Sequence, residues 1–467
     1  MIAFPVAELA AVVGGRLVAA DAGFTVSGSV ETDSRLVGPG SVFVALPGEV
    51  TDGHLFARDA RDRGAALLIV ERELDIELPQ IVVADGVVAL ADLAREVVAR
   101  VRRAGTLSVV GITGSNGKTT TKNLLAAILS EHGATVAPPG SFNNHVGAPI
   151  SMLRIDADTR YLIVEMGASG VGEIARLVAI ARPDIGVVLK VGLAHAGEFG
   201  GIEQTERAKA EMVVDLPATA LAVLNADDSR VAAMAAKTRA RVVTLGRVPT
   251  AQLRAEDVES RADGTSFTLV DGPLRRPVGL RILGEHHVTN ALAALAVARE
   301  LGIDLDAAVA AIERVPRAER WRMELLAAPN GVTIINDAYN ASPDSMAAAL
   351  KTLAQITPSE GRSVAVLGEM AELGEYAQEE HDRIGRLVVR LDIRKLVVVG
   401  DAARHIHLAA SLEGSWDGES ILVADSDRAY DVLREELRPG DVVLVKSSKS
   451  AGLRFLGDRL AAPEGAR

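Results

Sequence analysis

The stretch "TGSNGKTT", Thr113 to Thr120, places one lysine between a pair of glycines and a run of hydroxyl residues. A short apolar run, "LSVVGI", leads into it, and a helical pattern, "TKNLLAAILSEHG", leads out. Strand, glycine-rich turn and helix start are what a phosphate loop needs, because turn amides and the helix N-terminus both favour an anion. Gly114 and Gly117 let the backbone of Ser115 and Asn116 turn toward a polyphosphate. Lys118 can reach the β- and γ-phosphates, and the Thr119 hydroxyl, followed by Thr120, suits Mg²⁺. The strict spacing G-x-x-x-x-G-K-[ST] would need a glycine at Ile112, whereas the glycine is Gly111. The competing reading is a glycine-rich turn that holds no ligand. Such a loop says nucleotide but does not separate ATP cleavage from a nucleotide-gated switch. The N-K-x-D signature of guanine-binding switches is absent from the sequence.

Three further residues could serve that chemistry. "YLIVEMGASG" is an apolar strand ending in Glu165, and an acid at the carboxyl end of a neighbouring strand can hold Mg²⁺. "IGVVLKVGLAHAGEFGG" is a strand followed by a loop of small residues around His195. Imidazole is an unusual Mg²⁺ ligand, so His195 taken alone reads as structural. Lys209, in "TERAKAEMVV", taken alone reads as a solvated lysine on a helix.

The elements that must position these groups read as α/β. The chain has 467 residues, 48% of them apolar and 24% charged, so roughly three domains of about 150 residues are expected. Residues 1–104 alternate short strands and helices and close on "AREVVARVRRAG", with Gly105 as a boundary. From 105 to 318 strand-length runs alternate with helical patterns, which predicts a mostly parallel sheet with helices on both faces; Gly133 is the expected cap of the loop helix. From 319 to 467 the same rhythm recurs as a smaller, doubly wound, Rossmann-like domain, in which Ser342 suits an N-cap and Pro343 the first helical position. The net charge of −12 argues against a nucleic-acid surface. Cysteine is absent, which rules out disulfides and thiolate chemistry. The N-terminus lacks a basic lead and Glu8 interrupts its apolar stretch, so no signal peptide and no membrane insertion are expected. A cytoplasmic monomer is the resulting expectation.

Together, "TGSNGKTT", Glu165 in "EMG" and His195 in "GLAHAGEFG" resemble the Mur ligase family of ATP-dependent amide ligases, and the resemblance spans essentially the whole chain. That family shares the shortened glycine spacing. "TDSRLVGPGSVFVALPGEVTDGHLF" is similar to the UDP-binding N-terminal domain of its third-residue-adding and dipeptide-adding branches. "GSFNNHVGAPISML", "NDAYNASPDSM" and "VLGEMAELGEYAQEEH" favour the dipeptide-adding branch, and the D-N-P-R motif of the diaminopimelate-adding branch is absent. The resemblance implies ATP and Mg²⁺ as cofactors. It implies UDP-N-acetylmuramoyl-tripeptide and D-alanyl-D-alanine as substrates, joined through an acyl phosphate. Other amide ligases of similar build, and a non-catalytic nucleotide switch, are the alternatives.

The resemblance also implies roles. Lys118 and the loop amides would bind ATP. Thr119 and Glu165 would serve one Mg²⁺ and His195 a second, and Lys209 sits where the family often has a carbamylated lysine. Asn290 matches the residue that contacts adenine, while Arg322 and Asp337 match residues that close over the nucleotide. Ser34, Arg35, Asp52, Gly53 and His54 match the UDP-sugar site, and Asn143 and Asn144 the growing peptide. Asn340 and the "GEMAEL" loop with Glu372 would lie near the dipeptide. Four positions depart from the family pattern: His287 and Lys190 replace common asparagines. Ser447 and Lys449 replace a small residue and an arginine.

Overall fold

The computed structural model describes all residues except 20–22, 49–50, 195, 316–319, 415 and 463–467; for 196 and 198 it describes the backbone only. Three principal sheets of five, nine and six strands follow one another along the chain. Each is mostly parallel, as the alternating strand and helix patterns predict.

The nine-stranded sheet carries the phosphate loop. Ser108–Thr113 lies between Tyr161–Glu165 and Ile185–Val188, parallel to both. After Tyr161–Glu165 the chain crosses back over Ser108–Thr113 and builds the sheet in the other direction. This is a switch point, where ligands bind α/β sheets at the carboxyl ends of strands. Successive residues of the central strand face opposite cores: Val109 packs in one apolar cluster, Val110 and Ile112 in another. Both faces are covered, which is why the strand reads as an unbroken apolar run.

Two features depart from the sequence reading. Leu253–Arg261, Gly264–Asp271 and Leu274–Leu280 extend this sheet as antiparallel hairpins. Their two-residue turns are Ala262-Asp263 and Gly272-Pro273, in which Asp263, Gly272 and Pro273 are residues that favour turns. The loop helix, Lys118–Ser130, ends on Glu131 rather than Gly133. Gly133 is instead required by packing, since a Cβ there would lie 2.7 Å from the Arg160 side chain.

The five-stranded sheet is followed by the helix Gly86–Ala104, capped by Asp85 at its start and ending at Gly105. That helix is no isolated linker. Its Leu93, Val97 and Val101 share one apolar cluster with Val109, Leu162 and Ile174 of the central block, so the core is continuous across the boundary. In the six-stranded sheet, Thr333–Asn336 pairs in parallel with Val442–Lys446. The helix Pro343–Ile356 starts as expected, with Ser342 accepting from Ser345 N and Pro343 in the first turn. Among the described residues no helix is long and apolar enough to cross a membrane.

Candidate active site

The phosphate loop is wired to the next parallel strand. Ser115 N donates to Lys190 O at 2.9 Å, and Gly192 N donates to Ser115 Oγ, also at 2.9 Å. Thr113 Oγ1 donates to Met166 O at 2.7 Å, tying the loop to the segment after Glu165. Gly114 and Gly117 have φ of +153° and +87°, values side chains disfavour. Gly117 is doubly constrained, because a Cβ would come within 2.2 Å of Asn290 Oδ1. Asn290 therefore packs directly on the loop. Lys118 Nζ donates to Gly114 O at 2.6 Å, and burial lowers its pKa while Glu165 opposes that shift.

Glu165 is fully buried. Its Oε1 accepts from Asn143 Nδ2 at 2.8 Å, but its Oε2 is buried with no hydrogen-bond partner. An orphaned carboxylate oxygen in a cavity lined also by the half-buried Lys118 and by Thr119 is a position that a hard cation satisfies. Lys209 corrects the expectation of a solvated lysine: it is only 2% exposed, and its Nζ lies 5.3 Å from the Phe199 ring. Burial, reinforced by the Lys118 charge, lowers its pKa from 10.5 to about 7. The helix Ile202–Val214 turns this residue inward with Ala208 and Met212, so its periodic face, rather than its residue type, decides its burial. His195 lies outside the described residues.

Three cavities adjoin along this surface. One of about 500 Å³ lies between Asn225, Asp228, Asn290 and Asp344. A second, about 270 Å³, is lined by Lys118, Thr119, Glu165, Arg322 and Tyr339. A third, about 210 Å³, joins Lys118 and Asn143 to Lys209. Asn116, Gly117 and Asn290 line the first two, and Lys118 the last two, so a continuous groove runs over the phosphate loop.

The C-terminal block closes this groove. Trp321 and Met323, either side of Arg322, have φ of +62° and +51°, a strained geometry for side chains of this size. Asp337 holds that segment: its Oδ1 accepts from Met323 N at 2.9 Å and its Oδ2 from the buried Lys446 Nζ at 2.6 Å. The Arg322 guanidinium lies 4.2 Å over the Tyr339 ring. Ser342 Oγ reaches Asn116 Oδ1 of the phosphate loop at 3.2 Å.

Comparison with known proteins agrees with this arrangement. The Mur ligase middle domain matches residues 112–298, the Mur ligase glutamate ligase domain residues 321–449, and the Mur ligase family catalytic domain residues 29–108. The chain belongs to the Mur ligase family. It is 46% identical to the UDP-N-acetylmuramoyl-tripeptide–D-alanyl-D-alanine ligase of Mycobacterium tuberculosis, over 99% of each chain. It is 33% identical to the enzyme of that name from Escherichia coli, over 97% of each. Among solved structures, MurF from Acinetobacter baumannii superposes with a TM-score of 0.87 at 29% identity, covering 98% of this chain and 99% of that one. MurF ligase from Thermotoga maritima in complex with ADP superposes at 0.79 with 30% identity, covering 92% and 97%.

The remaining expected residues of this Mur ligase fall into two groups. In the N-terminal domain Ser34 is buried, and Arg35 is exposed and paired with Asp33 at 2.6 Å. Asp52 caps the Gly53–Phe56 turn, and hydrogen bonds from His54 and Arg72 hold its pKa well below the usual carboxylate range. His54 is buried with both ring nitrogens engaged: Nδ1 lies 2.6 Å from Asp52 Oδ1, and Nε2 accepts from Glu71 N at 2.9 Å. It therefore holds the turn in shape, and Gly53 fits because a Cβ would meet Leu46 O at 2.6 Å.

Among the residues expected near the peptide and the dipeptide, Asn144 Oδ1 caps Gly147 N at 2.8 Å, and Asn143 O accepts from Gly167 N at 2.8 Å. Asn340 is exposed. Glu372 has φ +63°, and its carbonyl accepts from Gly197 N of the central domain at 2.9 Å. The Glu372 loop is fixed by His381 Nε2, which accepts from Met370 N, and by Ser448 Oγ, which accepts from Ala371 N. Sequence reading missed Lys446, Tyr339, Ser141 and His381. Tyr339, Ser141 and His381 stand inside the quoted motifs "NDAYN", "GSFNNHVGAPISML" and "VLGEMAELGEYAQEEH", so the segments were legible although their contacts were not; Lys446 lies outside them.

Proposed function

We propose that this Mur ligase uses ATP to join the tripeptide carboxylate of UDP-N-acetylmuramoyl-tripeptide to the amine of D-alanyl-D-alanine. The observation that carries this reading is identity over the full length of all three domains to enzymes of that name. The lysine-bearing phosphate loop, sharing a cavity with an orphaned carboxylate oxygen, supports it. The domain limits we propose are 104/105 and 318/319; the second falls on residues outside those described.

The chemistry sets a clear task. A carboxylate oxygen is a poor leaving group, so it first attacks the γ-phosphorus of ATP: the new O–P bond forms, the bridging P–O bond to the β-phosphate breaks, and ADP leaves. The dipeptide amine then attacks the acyl phosphate, an amide C–N bond forms, the C–O bond to phosphate breaks, and the amine proton passes to solvent or a nearby base. Lys118 and the amides of the 114–119 loop bind and screen the phosphates, which is where most of the catalytic stabilisation arises. Arg322, brought in by the C-terminal domain, adds a second positive group over the same cavity. Asn290 and the cavity near Asn225 suit the purine and its sugar. Mg²⁺, when bound, neutralises phosphate charge; Thr119 and Glu165 offer it oxygen ligands. Among the described residues no three acidic or histidine groups gather as a ready metal cluster, so phosphate oxygens and water would complete the shell.

Lys209 fits the proposed carbamate. Its amine is neutral in good part near pH 7, which addition to CO₂ requires: the N–C bond forms and the displaced N–H proton leaves to water. Ser34, Arg35 and the Asp52–His54 turn are proposed for the UDP-sugar, Asn143 and Asn144 for the peptide, and Asn340 with the Glu372 loop for the dipeptide. ATP and UDP-linked precursors are cytoplasmic compounds, which supports action in the cytoplasm.

The test is phosphate release from ATP with UDP-N-acetylmuramoyl-tripeptide, with and without D-alanyl-D-alanine. Release that needs both, with a product one dipeptide heavier, is expected. Release indifferent to the dipeptide would overturn the reading.

A further inference from the structure

Tyr339 belongs to the C-terminal domain, yet its hydroxyl lies 2.7 Å from Ser141 Oγ in the central domain. That is an ordinary O–H···O length. Ser141 sits in the loop that carries Asn143. Lys122, buried on the phosphate-loop helix, anchors this loop at its base by donating to Pro138 O and Gly140 O, each at 2.8 Å. Asn143 anchors its tip through Glu165 Oε1 and Gly167 N. Ser141 stands between the two anchors.

The opposite side of Tyr339 is equally committed. Its backbone N donates to Trp321 O at 3.1 Å, and its ring carries the Arg322 guanidinium at 4.2 Å, within reach of a cation–π contact. One aromatic residue thus meets the arginine that faces the phosphates through its ring, and the loop that faces Glu165 through its hydroxyl. Ser141, Asn143, Glu165, Arg322 and Tyr339 all line the 270 Å³ cavity with Lys118.

We infer that Tyr339 is a positioning residue that couples the seating of the C-terminal domain to the loop holding Asn143 against Glu165. When the domain is seated, the Tyr339 hydroxyl fixes Ser141, and Asn143 keeps its bond to Glu165 Oε1, leaving Oε2 aimed at the ligand. When the domain is not seated, Ser141 loses that partner and the loop tip has only its own two anchors. The inference rests on the ligase reading for its kinetic consequence, and on geometry alone for its structural one.

The test compares Tyr339→Phe, which removes only the hydroxyl, with Ser141→Ala and the double variant, all in the full-length protein. Each single change is expected to lower kcat roughly tenfold, within the ~100-fold that a misplaced reacting group costs. KM for UDP-N-acetylmuramoyl-tripeptide and the thermal midpoint should stay near wild type. The double variant should be no slower than the slower single, because both changes delete one bond. Phosphate released per amide formed should rise above one in all three, as the acyl phosphate is lost to water. A merely structural bond would leave that ratio unchanged. Tyr339→Leu, which also removes the ring, should in addition raise KM for ATP.

Tyr339→Phe at wild-type kcat and ratio, or single effects that multiply in the double variant, would overturn the coupling. Amide hydrogen exchange of residues 138–144 in the presence of a non-hydrolysable ATP analogue gives a readout independent of the ligase reaction. Faster exchange in Tyr339→Phe supports the inference, and equal exchange overturns it, even if wild type forms no dipeptide-dependent product and the ligase reading itself fails.

Discussion

Lys190 Nζ lies 2.9 Å from Asp344 Oδ1, and the two residues belong to different domains. Lys190 follows the strand beside the phosphate loop, and its carbonyl accepts from Ser115 N. Asp344 sits in the first turn of Pro343–Ile356, where the helix dipole favours a negative charge. Asp344 also lies so near Gly192 that a Cβ there would meet its Oδ2 at 2.3 Å. The pair therefore registers the C-terminal helix on the strand that wires the phosphate loop.

Both side chains are about a third or more exposed, at 41% and 32%, so the pair is screened and contributes at most about 1 kcal/mol to closure. Lys190→Asn is expected to raise KM for ATP by no more than about fivefold, with the effect fading at high salt. Asp344→Asn should do the same, and the two together should not add. The check is a double-mutant cycle on KM at low and high ionic strength. Independent effects would show that the contact does not hold the domains together.

Lys118→Ala should abolish ligation, by at least ~10² to 10³-fold, since it removes the charge aimed at the transferring phosphoryl group. Binding of the UDP-substrate should be largely unchanged, because Arg35 and Asp52, the residues proposed for it, lie in another domain. Calorimetric binding alongside steady-state turnover distinguishes the two effects. Retained turnover would sink the phosphate-loop assignment.

Lys209 makes stability depend on pH in a defined direction. Its pKa falls from 10.5 to about 7 on folding, so between those values the unfolded chain holds a proton the folded chain has released. Stability from this group is therefore full above about pH 10.5, and is lost as pH falls toward 7. Lys209→Met should gain on wild type near pH 7, and the gain should shrink as pH rises toward 9.5. Thermal midpoints of both proteins, measured in CO₂-free buffer, test this. A pH-independent difference would mean that the amine is not held neutral.

His287 predicts acid sensitivity. It is buried, and burial holds its pKa well below 6.5, with His286 and Arg322 adding to the shift. Above pH 6.5 folded and unfolded forms are both neutral; below it only the unfolded chain takes up the proton, so stability falls as pH drops below about 6.5. The neighbouring His286 ring lies 4.0 Å away, so a proton on either ring disfavours one on the other. His287→Asn should unfold with a shallower pH slope below pH 6.5, whatever its absolute stability. An unchanged slope would show that His287 is protonated in the folded protein.

The sequence by itself determined what depends on neighbours along the chain. The strand before the phosphate loop, the turn glycines and the helix after it are local, and so is the cap made by Ser342 and Pro343. Each follows from apolar periodicity or from a residue's own backbone preference, so each could be read without knowing where the chain folds back. The hairpin turns at Ala262-Asp263 and Gly272-Pro273 were equally local, but the reading of a mostly parallel sheet passed over them.

Tertiary structure decided everything that depends on distant packing. Lys209 reads as a surface lysine until its helix face is turned against Phe199, and burial then sets its charge. Glu165 Oε1 meets Asn143, 22 positions away, while Oε2 has no hydrogen-bond partner beside the phosphate loop, and only the folded arrangement sets the two oxygens apart. Tyr339 and Ser141 are 198 positions apart, and no spacing rule connects them. A hydrogen bond or ion pair across domains is set by where two rigid bodies meet, and that depends on every residue in the shared surface rather than on the pair itself.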